Sequence, residues 1–125
     1  MNKLLKFWLS TNATFSLSSG LVMILFNDYL QKIFGFKSSS VFPEIGSILI
    51  IFAIFIIGLI YYCSHKLYKS LVYVIIILDA LWVLGSVFFV SLRLFNLSEI
   101  GYWLIVLIAL IVGFFGVQQL RYINT

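Results

Sequence analysis

Four runs of about twenty mostly apolar residues, separated by only a few polar ones, set the strongest limit on what this chain can become. A bilayer's hydrocarbon core is about 30 Å thick and is crossed by about 20 helical residues at 1.5 Å rise each. Segments 7–26, 43–63, 70–92 and 99–120 meet that length. They predict an all-α, polytopic membrane four-helix bundle with short connections, one domain over residues 1–125. Composition agrees: 63% of residues are hydrophobic and 10% charged, whereas a soluble domain carries roughly a quarter charged residues. There are too few polar side chains to dress a surface for water, so the lipid bilayer is the expected solvent.

The run ends carry their own stop and start chemistry. Asn27 and Asp28 close the first. Pro43 lacks an N–H that the first helical position would leave unpaired anyway, and Glu44 beside it suits the positive end of the helix dipole, so the second span is predicted to begin there. Asn96 and Glu99, three apart, have the spacing of a capping box for the fourth span, with Asn96 as the cap. Between the first two spans, Leu30, Ile33 and Phe34 fall at helical spacing beside Gln31 and Lys32. That stretch reads either as a short amphipathic helix lying on the outer leaflet or as a continuation of the first helix.

Basic residues fix an expected orientation, because loops left on the cytoplasmic side are enriched in Lys and Arg. With the N-terminus inside, Lys3, Lys6, Lys66, Lys69 and Arg121 are cytoplasmic and Lys32, Lys37 and Arg93 are outside. Both termini are therefore expected in the cytoplasm. The net charge of +4 is spread singly or in pairs at the ends of apolar runs, which suits anionic headgroups and gives no nucleic-acid surface. Lys3 and Lys6 ahead of an apolar stretch match the start of a signal peptide, but Ser10, Thr11 and Asn12 interrupt it early, and a retained first span is expected. Asn12-Ala13-Thr14 matches a glycosylation sequon inside that span, where a lumenal enzyme has no access.

Asp79 is the only acid well inside a span. An aspartate at the middle of a bilayer costs about 2.5–3.5 kcal/mol on insertion scales, so a partner must compensate it. Equal rise from the cytoplasmic side puts Ser16 near Asp79, with Asn12 about a turn below and Ser19 about a turn above. The second and fourth spans offer Ile54 and Ala109 or Leu110 at that depth, which cannot donate a hydrogen bond. Asn12, Ser16 and Gly20 form a small or polar ridge expected to pack the first span against the third. Asp79, Trp82 and Ser86 share one face of the third span. The candidate intramembrane site is thus Asp79 with Asn12, Ser16, Ser19, Trp82 and Ser86. Two readings stand: a neutral acid donating a hydrogen bond to the first span, or a site for a proton, a cation or a cationic headgroup.

Other chemistry finds no footing. Cys63 is the only cysteine and His65 the only histidine, which supplies neither a closed zinc site nor a pair of axial haem ligands. Two residues apart in a hairpin, they lack the third group that orients a nucleophile. Gly113 and Gly116 read as a close-packing face, and Gln118 and Gln119 as the interfacial end of the fourth span. No catalytic residue, cofactor or metal is expected.

The patches Ser16-Leu17-Ser18-Ser19-Gly20-Leu21 and Asp79-Ala80-Leu81-Trp82-Val83-Leu84-Gly85-Ser86 resemble a family of small four-span bacterial proteins, and the architecture distantly resembles DoxX-like proteins. The latter are small four-helix membrane proteins, some associated with redox or quinone-linked complexes. The resemblance implies the fold and a bacterial inner-membrane location. Small multidrug transporters share the size and span count, but their first span carries a glutamate and this one has none. The arginine-asparagine signature of fluoride channels is not evident. The expected function is a structural or accessory subunit of a membrane complex, with a homo-oligomer or another membrane protein as partner. The alternative is a small oligomeric proton- or cation-linked transporter or channel using Asp79.

Overall fold

The computed structural model describes residues 3–35, 41–62, 68–93 and 97–123. They form an all-helical fold of five helices: α1 (Lys3–Leu25), α2 (Asn27–Phe34), α3 (Val41–Tyr62), α4 (Tyr68–Ser91) and α5 (Glu99–Tyr122). The four expected spans fall on α1, α3, α4 and α5. Pro43 is the third residue of its helix and not the first. It is still within the opening turn, where four N–H groups have no partner inside the helix. Cys63, His65, Lys66, Lys37 and the proposed cap Asn96 lie outside the described residues. The observed N-cap of α5 is Ser98, whose Oγ accepts from the Gly101 N–H at 3.0 Å.

α3, α4 and α5 are each long and apolar enough to cross a membrane, with mean hydropathy of 2.5, 2.4 and 2.6 over their spans. Only 22, 17 and 33% of these stretches is buried within the fold. Most of their apolar surface therefore faces outward, where only lipid accepts it without penalty. α1 differs. It carries Ser10, Thr11, Asn12, Thr14, Ser16, Ser18 and Ser19, and it matches the length and hydropathy of a span only when joined with α2, from which it bends by 91°. Two of its exposed hydroxyls are satisfied internally: Thr11 Oγ1 donates to Phe7 O at 2.9 Å and Thr14 Oγ1 to Ser10 O at 2.8 Å.

Of the two readings for the segment after α1, the separate short helix is the one observed. α2 ends at Gly35, whose φ of +80° lies in the left-handed region that glycine enters without Cβ strain, and whose N–H caps Gln31 O. The last carbonyls of α2 are taken by the start of α5. Ser98 Oγ donates to Ile33 O at 2.6 Å, and the Ser98 N–H donates to Phe34 O at 2.9 Å. One serine thus satisfies two orphan carbonyls of one helix and one orphan N–H of another. Phe34 then packs with Phe42, Leu97 and Tyr102 to close this end of the fold.

In lipid, burying a leucine gains little, because the tails outside are as apolar as the interior; close packing and polar pairing choose which helices meet. α1 and α3 run antiparallel and meet where two glycines coincide. A Cβ on Gly20 would sit 2.6 Å from Gly46 O, and one on Gly46 would sit 2.7 Å from Gly20 O. No side chain fits that crossing. Gly20, expected to approach the third span, instead approaches the second. α4 and α5 form the other close antiparallel pair, and α1 bridges to α5. α3 and α4, neighbours in the chain, scarcely touch. They meet in an apolar cluster of Leu5, Leu9, Ala13, Ile56, Leu59, Val72, Ile75 and Ile123, and beyond it they splay apart.

Candidate functional site

Four polar side chains are buried among the described residues: Asn12, Ser16, Asp79 and Gln119, between 0 and 4% exposed. All four belong to one network. Asn12 Nδ2 donates to Asp79 Oδ2 at 2.9 Å and to Gln119 Oε1 at 3.1 Å. Gln119 Nε2 donates to the same Asp79 Oδ2 at 2.9 Å. Ser16 Oγ lies 3.5 Å from Asn12 Oδ1, at the long limit of a hydrogen bond. Each amide's orientation follows from its partners: turning Asn12 over would bring its oxygen against two other oxygens. The knot joins α1, α4 and α5, and a polar group left unpaired here costs far more than in water.

Depth explains how the three elements meet. Asn12 lies nine residues from the start of α1, Asp79 eleven from the start of α4, and Gln119 only three from the end of α5. The end of α5 is recessed into the fold, with Ile123 fully buried among α1, α3 and α4 residues. Equal counting from each span end therefore misplaced the fourth span. It offers Gln119 to Asp79, not Ala109 or Leu110. Gly116 packs behind it, an added Cβ there reaching within 3.6 Å of Asp79 Cβ. From sequence, Gln119 is expected with Gln118 at the interfacial end of the fourth span. Its spacing held the better signal, because Val112, Phe115, Gly116 and Gln119 recur at three and four residues, the period of a buried helix face.

The sequence-predicted residues divide into three groups. Asn12 and Asp79 bond directly, and Ser16 touches the network through Asn12. Ser19 and Trp82 make no bond to the carboxyl but line, with Asp79 and Ser16, an apolar cleft of about 480 Å³ between α1, α3, α4 and α5. Ser86 lies further along, in a second cleft of about 420 Å³. Met23, Trp82 and Ile108 line both, so the two are continuous along the splay of α3 and α4. The Trp82 indole nitrogen is buried and has no acceptor among the described residues.

Of the two readings of Asp79, one has its carboxyl donate to the first span; the bond observed between them is donated by Asn12 Nδ2 to Asp79 Oδ2. Both donors converge on Oδ2, and no donor among the described residues reaches Oδ1. The expected first-to-third pairing exists as this side-chain bridge, while the backbone of α1 packs on α3 and α5.

The chain matches no family model, no curated protein and no solved structure. Among the described residues no group of three His, Cys, Asp or Glu is placed to hold a metal. Chemically, the site can hold a carboxyl between two amides at the wall of an apolar cleft. Its one hydroxyl in the network, Ser16, has no base beside it.

Proposed function

We propose that this chain is a four-span protein of a bacterial inner membrane, both termini cytoplasmic, serving as a structural or accessory subunit of a membrane complex. α1 is the fourth crossing in this reading. Asn12 and Ser16 turn inward to the knot and Thr11 and Thr14 bond back to their own helix, while Phe7, Leu21, Val22 and Leu25 offer an apolar outer surface to lipid. α2, at 91° to α1, suits an interfacial helix, and the excess of Lys and Arg near the other ends supports the orientation.

One observation carries the structural role. Asn12, Ser16, Asp79 and Gln119, buried on three helices, are spent inside a single knot, and the apolar cluster of Leu5, Leu9, Val72, Ile75 and Ile123 lies between that knot and the end of the fold where α1 begins. Such a plug offers an ion nothing to replace its water. The knot acts as glue.

Purified protein reconstituted in liposomes tests this reading. Proton and potassium flux should match that of empty vesicles, and Asp79→Ala should lower resistance to unfolding while leaving flux at background. Flux through the parent protein that Asp79→Asn abolishes would instead establish the transporter reading.

A further inference from the structure

The structural reading spends only half of the Asp79 carboxyl. Oδ2 holds two amide donors, whereas Oδ1 belongs to a residue that is 97% buried and still lines the larger cleft. Ser16 and Ser19 add hydroxyl oxygens to the same wall, and Phe15, Phe52, Phe55 and Trp82 add aromatic rings. Carboxylate, hydroxyl oxygen and ring face all attract a cation. Among the described residues no Lys, Arg or His lines either cleft, so these walls offer an anionic group no countercharge.

Shape and access agree with charge. The cleft sits where α3 and α4 splay, so a molecule dissolved in the bilayer enters sideways without crossing the apolar plug. At about 480 Å³ it lies within the range of about 300–1,000 Å³ typical of small-molecule sites. The second cleft continues along α4 from Trp82 to Phe89 with an almost wholly apolar wall. Ten residues of helix separate Asp79 from Phe89, about 15 Å of groove.

From this arrangement we propose that the cleft between α3 and α4 binds a membrane-dissolved amphiphile with an ammonium head and an apolar tail, the head at Asp79 and the tail along the groove toward Phe89. The site goes beyond the subunit role and does not depend on it. A protein with this site can be non-conducting, and a non-conducting protein can lack it.

A quenching titration tests the proposal. The full chain carrying Trp8→Phe and Trp103→Phe keeps Trp82 as its only fluorophore of that kind and is placed in phosphatidylcholine nanodiscs. It is titrated with an alkylamine brominated on its tail, and separately with the alkyl sulfate and the alcohol of the same tail. The amine should quench Trp82 saturably, with the sulfate and the alcohol weaker by roughly tenfold or more. Asp79→Asn retains an acceptor for Asn12 and Gln119, removes the ionisable carboxyl that an ammonium head would pair with, and should weaken the amine by a similar factor. Ser19→Leu leaves the knot untouched, fills the cleft wall, and should abolish saturable quenching; it keeps the test decisive if Asp79→Asn does not fold. Equal quenching by all three probes would overturn the proposal, as would stronger binding of the neutral alcohol or unchanged binding in both variants. None of these results would alter the flux measurement on which the structural reading depends.

Discussion

The two sides of α3 are unlike. Toward α1 it comes so close that Gly20 and Gly46 place backbone against backbone, with no room for a methyl group on either. Toward α4, its next neighbour in the chain, it opens a cleft beyond the cluster around Ile56 and Val72. The difference teaches that in lipid a short connection does not decide which helices pack. Small residues that admit a backbone, and polar residues that need a partner, decide it. α4 supplies neither toward α3. It is held to the rest of the fold by α5 and by the Asp79 bridge to Asn12.

The comparison breaks most severely at the glycine crossing. Gly20→Leu should destabilise the protein by about 3 kcal/mol, the upper part of the usual range for overpacking, measured by unfolding in mixed micelles. Gly113→Ala is the contrast, since its Cβ would meet Val83 at an ordinary 3.5 Å; its effect should stay within about 0.5 kcal/mol. Next in size is Gln119→Leu, which removes one of the two donors to Asp79 and one of the two acceptors for Asn12. Leaving buried polar groups short of partners should cost about 1–3 kcal/mol by the same assay. The smallest effect belongs to the open side. Ile51 lines the cleft yet is 67% exposed, and Ile51→Ala should change stability by no more than about 0.5 kcal/mol. A large loss there would mean that α3 and α4 close on each other.

The extent of the helices was legible because a bilayer-length apolar run leaves few alternatives; the expected and observed ends agree to within a few residues. Asp79 and Asn12 were also legible, because an acid in an apolar helix demands a donor and α1 is rich in them. Gln119 was not, because depth was counted as if every helix ended level, and the recession of α5 depends on packing around Ile123 that no local signal announces. The Gly20–Gly46 crossing was half visible: Gly20 stood out at the end of a small-residue ridge, but its partner helix depends on which neighbour also offers a glycine at matching height. The cap of α5 slipped by two residues because Asn96 and Ser98 both have capping chemistry, and the choice of Ser98 follows from its second bond, to Ile33 O on α2.

The most direct test of the knot is a double-mutant cycle between Asn12→Ala and Asp79→Ala, with unfolding free energies measured in the same micelles. If α1 and α4 are joined through this pair, the two losses will be non-additive, with a coupling of about 0.6–2 kcal/mol. Losses that add to within about 0.3–0.5 kcal/mol would contradict the account, because they would mean that Asn12 and Asp79 stabilise the fold separately.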